Sequence, residues 1–307
     1  MLGFQGPFYL AYFLYIYHMA MDHHHDEIPI HNFSTDDASS IPFRYIPLEL
    51  KTDYDTSVPH RHNYYEMFIF TKGAGYHDID FTRYTISECA IHFVSPGQVH
   101  QVERELGTYG YVLLFSRDFF AMNTENKNLL FDLPFLNNNG PDPVLDLSQA
   151  EMSFFTTILS TMEVEYKNKN SLKEEMLRSY LNLLLLQSHR LYNEKHPVAK
   201  VITGSTLYKD FRILLEKNFT KEHKVMEYAE KLNVTEKTLN ENIKKVTGKT
   251  ASEHIFDRII LEAKRLLKHS DLTTKEIAYF LNYQDPAHFS KFFKTQTGQS
   301  PSDFREN

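Results

Sequence analysis

The feature that most constrains this chain is a repeat in its C-terminal third. Tyr228-Ala229-Glu230-Lys231-Leu232-Asn233-Val234 matches Ile277-Ala278-Tyr279-Phe280-Leu281-Asn282-Tyr283 at an offset of 49, and Thr247-Gly248 matches Thr297-Gly298 at an offset of 50. Repeats of this period mark duplicated supersecondary units. Each copy reads as an amphipathic helix, a short turn and a second helix. In the first, Val225 to Leu232 is followed by Asn233-Val234 and by Thr235 as the N-cap of a helix with Leu239, Ile243 and Val246 inward and Gly248 at its end. In the second, Thr274 is expected to cap a helix over Lys275 to Leu281. Asn282 suits a left-handed turn, and Pro286 opens a helix with Phe289, Phe292 and Phe293 inward and Gly298 at its end. Ala229 and Ala278 fall where the helices of each unit cross, and a small side chain there permits close approach. This is helix-turn-helix spacing, in which the second helix enters the DNA major groove. Two units in register, joined by one helix from Ala251 to His269, argue against a plain helical bundle. They would let one chain read two successive grooves, about 34 Å apart on one face of B-DNA.

Charge agrees once it is split. The whole chain carries −7, which on its face disfavours nucleic acid. Residues 1–200 hold 15 Lys and Arg against 25 Asp and Glu, a balance of −10, whereas residues 201–307 hold 18 against 15, a balance of +3. At 307 residues and 24% charged, the chain has the size of two domains and the composition of a globular protein. Its one cysteine, Cys89, excludes an intrachain disulfide and fits a reducing, cytoplasmic setting.

Residues 206–307 closely resemble the tandem helix-turn-helix domain of AraC/XylS family transcription regulators. The resemblance rests on Lys275-Glu276-Ile277-Ala278, on Pro286-Ala287-His288-Phe289-Ser290-Lys291-Phe292-Phe293-Lys294 and on Thr297-Gly298-Gln299-Ser300-Pro301-Ser302-Asp303-Phe304-Arg305. Asn282-Tyr283 departs from the family's usual Gly-Phe. The resemblance implies that Lys237, Asn240 and Glu241 of the first unit, and Ala287, His288 and Lys291 of the second, face the bases. Asn can pair with adenine, Lys with guanine, and Glu can accept from cytosine. Lys244, Lys245, Lys249 and Lys294 look like phosphate contacts.

Ahead of this domain, residues 41–116 read as short strands: Tyr64 to Phe70, a restart at Tyr76 after a Gly-containing turn, Cys89 to Val94, and Gly110 to Phe115. Residues 148–192 switch to helical spacing. Ser148 to Tyr166 forms one helix. Leu172 to Tyr192 forms another, with Leu172, Met176, Leu177, Tyr180, Leu181, Leu184 and Leu185 on its apolar stripe. The run Leu183 to Leu186 is either buried by the strands or meets another subunit. The strand region resembles the small cupin-like β-barrel found ahead of this DNA-binding domain in many family members, on Pro59-His60-Arg61-His62-Asn63-Tyr64-Tyr65-Glu66 and Pro96-Gly97-Gln98-Val99-His100. That implies an effector-sensing barrel, with the helical pair as a homodimer contact.

His60, His62, Tyr64, Glu66 and Phe68 share strand parity and so face one way. With His100 they are the expected effector pocket. His60, His62, Glu66 and His100 also resemble the ligand set of metal-binding cupin enzymes, and imidazole with carboxylate suits a divalent transition metal. The enzyme pattern is not followed throughout. Ser87-Glu88 stands where a glycine is usual and Arg104 where an asparagine is usual. Cys89, in an apolar strand, reads as inert core, and no residue is expected to be catalytic.

The expected architecture is an α+β multidomain chain: an N-terminal cupin-like β-barrel with a helical pair, and a C-terminal all-α tandem helix-turn-helix. Residues 1–25 are an extension or tail, 26–146 the barrel, 147–196 the helical pair, 197–205 a linker and 206–307 the DNA-binding domain. Within the tail, the apolar stretch Gly6 to Ala20 is shorter than a membrane-spanning helix. It reads as an upstream extension preceding a start near Met21, the alternative being a weak anchor. His23-His24-His25 reads as a solvated tail. The expected function is that of a cytoplasmic, effector-responsive DNA-binding regulator acting on double-stranded DNA, and on RNA polymerase if it is an activator. The alternatives are a metal-sensing regulator and a metal-dependent cupin enzyme.

Overall fold

A computed structural model describes residues 28–32, 41–49, 55–121, 129–137, 142–196 and 206–306. The expected extension at 1–25, with its apolar stretch and His23-His24-His25, and the expected linker at 197–205 lie outside the described residues. Two compact units are resolved, one of residues 29–259 and one whose described part is Ile28 with residues 260–306, and each is described by itself.

Among its described residues the first unit has ten strands: β1 (Ile30–His31), β2 (Phe43–Pro47), β3 (Arg61–His62), β4 (Tyr65–Lys72), β5 (Gly75–Ile79), β6 (Thr82–Thr85), β7 (Ala90–Val94), β8 (His100–Arg104), β9 (Tyr109–Phe115) and β10 (Val144–Asp146). They form an antiparallel five-stranded sheet in the order β10-β7-β4-β9-β2, a three-stranded sheet β6-β5-β8, and a parallel pair β1-β3. Alternation sorts the side chains of β4. Phe68 and Phe70 join Ile79, Val94, Val102 and Val112 in a core between the two larger sheets. Met67 and Ile69 point the other way, into a core shared with Phe93, Phe115 and the helices. Gly110 (φ 147°) makes the β4–β9 approach possible, because a Cβ there would lie 2.0 Å from the Ile69 carbonyl oxygen.

Short helices α1 (Arg117–Ala121) and α2 (Leu129–Asp132) and a 3-10 turn (Pro134–Leu136) lead toward β10. The helical pair follows as α3 (Gln149–Lys167) and α4 (Lys173–Lys195). Ser148 starts α3 with a capping box to Glu151. Leu172 is not inside α4 but is its N-cap, in left-handed conformation (φ 60°) and exposed. The alternatives for the leucine run divide residue by residue. Leu181, Leu184 and Leu185 are fully buried against the five-stranded sheet, whereas Leu183 and Leu186 are about 40% exposed, with Met176 on the same side. Cys89 is buried but precedes β7 at positive φ (59°), so it occupies a turn and not the strand.

The first helix-turn-helix unit comprises α5 (Thr206–Asn218), α6 (Val225–Lys231) and α7 (Glu236–Thr247). Helix α8 (Ala251–His269) is continuous, as the sequence predicts. The second unit comprises α9 (Thr274–Phe280), α10 (Pro286–Thr297) and α11 (Pro301–Glu306). Thr273, not Thr274, caps α9, because Glu276 stands three residues after Thr273 and closes a capping box with it. Asn233 (φ 54°) and Asn282 (φ 58°) both take the left-handed turn. Gly248 and Gly298 end α7 and α10 with identical dihedrals, φ 81° and ψ −11°. No helix among the described residues is long and apolar enough to cross a membrane.

Candidate functional site

Helices α7 and α10 are built alike. In α7, Leu239 and Ile243 are fully buried, and Thr235 caps the start by accepting from the Thr238 N–H at 3.1 Å. Val246 is only half-buried. In α10, Phe289 and Phe293 are fully buried, Phe292 is half-buried, and Asp285 accepts from the Ala287 N–H at 2.9 Å. The faces opposite are open. Lys237, Glu241, Lys244 and Lys245 are exposed on α7, as are Ala287, His288, Lys291 and Lys294 on α10. Lys237 and Glu241 stand 3.9 Å apart, a loose solvated pair. Lys249 binds Asp257 at 2.6 Å. Asn240 differs from its sequence-based expectation. It is half-buried, and its Oδ1 accepts from the Ala251 N–H at 3.0 Å, tying α7 to the start of α8. Bidentate pairing with adenine needs that oxygen together with the amide NH2. Nothing in the sequence pattern signals this bond, which joins residues 11 positions apart.

The second assembly lies between the two larger sheets. Glu66 of β4, His62 of β3 and His100 of β8 are each no more than 2% exposed. His62 Nε2 lies 3.2 Å from Glu66 Oε2 and 3.2 Å from His100 Nε2, and His100 Nε2 lies 3.4 Å from Glu66 Oε2. His62 Nδ1 is 2.6 Å from the Tyr64 carbonyl oxygen, which can only accept, so Nδ1 carries a proton, and in the neutral imidazole Nε2 turns its lone pair inward. Tyr64 also stacks on His62, with ring centroids 4.3 Å apart. His60 does not join the triangle. Its Nδ1 donates to the Val58 carbonyl at 2.8 Å, and its ring packs 4.3 Å from that of His100. Phe68 meets His77 and His100 edge-on.

Two histidines that sequence reasoning missed extend the cluster. His100 Nδ1 lies 3.1 Å from His77 Nε2, and His77 Nδ1 lies 3.2 Å from His92 Nδ1. Both added residues are fully buried. Burial holds the imidazoles of His77 and His100 well below their ordinary pKa, with neighbouring histidines adding to the effect, and burial pushes His92 down to about 4. The alternation of β5 and β7 could have flagged them as inward-facing, but which sheets oppose each other is not a local signal.

An open groove of about 610 Å3 lies elsewhere on this region, lined in part by Leu48, Thr56, Val102, Arg104 and Tyr109. None of the six expected pocket residues lines it. A third contact joins α5 to α2. Lys209 Nζ binds Asp132 Oδ2 at 2.6 Å, and Arg212 donates to the Asn137 side chain at 3.1 Å and to the Phe131 carbonyl at 3.2 Å. The Phe131 ring has Arg212 at 5.1 Å and Arg117 at 4.7 Å from its centroid, both at cation–π distance.

The family described as AraC-like ligand binding domain matches residues 47–192, and a helix-turn-helix domain family matches residues 228–307. An uncharacterised helix-turn-helix transcriptional regulator, YfiF, of Bacillus subtilis (strain 168) is 23% identical over 267 residues, 83% of this chain and 80% of that protein. The transcriptional activator RhaS of Salmonella schwarzengrund (strain CVM19633) is 26% identical over 251 residues, 80% of this chain and 87% of that protein. The solved structure of ToxT from Vibrio cholerae covers 86% of this chain and 97% of its own at 15% identity, with a TM-score of 0.39. The sensor and DNA-binding matches span 146 and 80 of the 307 residues, in the same order along the chain as the strands and the duplicated helices, and the chain belongs to the AraC/XylS family of DNA-binding transcription regulators.

Proposed function

We propose that this regulator grips double-stranded DNA through the exposed faces of α7 and α10 and reads an effector at the buried cluster of His60, His62, Tyr64, Glu66, Phe68 and His100. The observation that carries the DNA half is the matched construction of α7 and α10, which bury two apolar residues each and leave a cationic face open. On α7, Lys237 and Glu241 are the base-facing candidates, Asn240 orients the helix, and Lys244 and Lys245 meet phosphates. On α10, Ala287, His288 and Lys291 face the bases and Lys294 meets phosphate. A polar cluster buried inside an otherwise apolar core supports the effector half, because such groups persist where function requires them. The α2–α5 contact offers a route by which the sensor region bears on the first DNA-binding unit.

The chain acts as a regulator and not as an enzyme in this reading, works in the cytoplasm, and forms a homodimer through α3 and α4. The exposed Met176, Leu183 and Leu186 supply the apolar stripe for that contact. An activator would also meet RNA polymerase. The test is selection of bound duplexes from a random DNA pool by the full chain. It should enrich one sequence, and Lys291→Ala should weaken that sequence by about 1–3 kcal/mol while leaving random DNA unaffected. No enrichment over the starting pool would refute the proposal, and equal losses on both DNAs would make Lys291 a phosphate contact.

A further inference from the structure

We propose that the sensor region binds a divalent transition-metal ion through His62 Nε2, Glu66 Oε2 and His100 Nε2. The proposal rests on reading this cluster as the effector site, and it names the chemistry of what binds there. Three observations carry it. The first is the triangle. Its edges are 3.2, 3.2 and 3.4 Å. An ion about 2.1 Å from each atom would see them at angles of about 100–108°, between octahedral and tetrahedral values. The three atoms also occupy one face of such an ion and leave its other positions open, as in two-histidine, one-carboxylate sites.

The second observation is a conflict that a cation resolves. Neutral His62, the form a metal ion binds, points a lone pair at Glu66 Oε2, because its proton is held on Nδ1 by the Tyr64 carbonyl. Glu66 Oε2 is buried and receives no hydrogen bond of acceptable geometry. Two lone pairs 3.2 Å apart in an apolar interior repel, and burying an unsatisfied carboxylate oxygen is costly. A shared positive charge removes both penalties.

The third observation is the support behind the ligands. Metal-bound histidines characteristically donate their other ring N–H to a fixed acceptor. His62 does so to Tyr64, and His100 Nδ1 meets His77, which in turn meets His92. This chain aims His100 Nε2 at the triangle. An ion there would tie β4 of the five-stranded sheet to β8 of the three-stranded sheet. Its open positions can take an oxygen- or nitrogen-bearing organic molecule, so the ion is either the signal or the anchor for one.

The test uses the full chain with His23, His24 and His25 replaced by alanine, so that the tail tract contributes no metal. The protein is stripped with chelator and loaded with Co(II) or Zn(II). Metal per chain is read by mass spectrometry, Co(II) coordination by visible absorption, and folding by circular dichroism. The expected result is close to one ion per chain, with nitrogen and oxygen ligands by Co(II) spectrum and a higher melting temperature than the stripped protein. Glu66→Gln, which preserves shape, should weaken binding at least tenfold, and a His62→Ala/His100→Ala double variant should lose the ion. His254→Ala removes a half-buried imidazole of α8 that packs against Thr247, outside the cluster, and should retain it.

Three results would overturn the proposal: no ion on the folded chain, an ion retained by the double variant, or an equal loss in His254→Ala. Its failure is separable from failure of the effector reading. A chain without metal whose reporter response is abolished by Tyr64→Ala or Phe68→Ala would keep the effector site and reject the ion. A response unchanged by those substitutions would reject the effector site itself.

Discussion

Phe293→Ala should destroy DNA binding without touching a single expected DNA contact. Phe293 is fully buried on the inner side of α10, with its ring 6.1 Å from Phe289 and 5.7 Å from Phe304. Truncation removes the largest part of a buried aromatic side chain and leaves a cavity, a change that costs about 3–5 kcal/mol. The two aromatic neighbours belong to the same helix and to α11, so the loss falls on the second helix-turn-helix unit. At 1.4 kcal/mol per power of ten, the open form of that unit becomes about 140 to 3,700 times more populated. Hydrogen exchange followed by mass spectrometry reads this directly. Peptides from α9 to α11 should exchange faster by about that factor, while β4 and β9 keep their rates. Lys291→Ala is the control, exposed on the same helix and expected to change stability by no more than about 0.5 kcal/mol. A Phe293→Ala cost below about 1 kcal/mol would refute the packing of α10 and, with it, the reason its cationic face is held outward.

Three further outcomes follow from other parts of the chain. Asn282 sits at φ 58°, so Asn282→Gly should leave stability unchanged or slightly raised, whereas Asn282→Val should cost about 1–2 kcal/mol by thermal unfolding; equal effects would contradict the left-handed turn. Asp132→Ala breaks a partly buried pair with Lys209 and should cost about 1–2 kcal/mol while altering reporter output in the absence of effector; unchanged output would remove the α2–α5 contact from the signalling route. The third concerns pH. His92 is held neutral with its pKa lowered to about 4 from 6.5, so the folded state binds its proton less readily than the unfolded state. Its stability contribution is complete above pH 6.5 and declines as pH falls toward 4, by up to about 1.4 kcal/mol per pH unit. Chelator-treated protein should therefore melt lower at pH 5 than at pH 7, and His92→Phe should flatten that dependence; a wild-type melting temperature that stays level would contradict it.

The parts legible in the sequence are those whose signals are local. Thr235, Asn233, Asn282, Gly248 and Gly298 announce caps and turns within a few residues of themselves, and the helices they bound lie close to where the sequence puts them. The error at Thr273 and Thr274 arises because two adjacent threonines can both cap, and only the spacing to Glu276 decides between them. Parity along one stretch of chain places Glu66 and Phe68 on the same side of β4. It cannot show that β5 and β7, from different sheets, bring His77 and His92 into contact, nor that His60 turns aside to Val58. The leucine run shows the same limit. Spacing reveals an apolar surface wider than one face, and only the packed sheet decides which leucines it covers.

The central claim is that one chain reads DNA with two like-built helices. Hydroxyl-radical footprinting of the full chain on a selected duplex tests it most directly. The account predicts two protected patches about 10 base pairs apart on one face of the duplex for each bound chain. It also predicts that Lys237→Ala/Glu241→Ala weakens one patch and His288→Ala/Lys291→Ala the other. A single patch indifferent to one of the two pairs of substitutions, or uniform protection along the duplex, would contradict it.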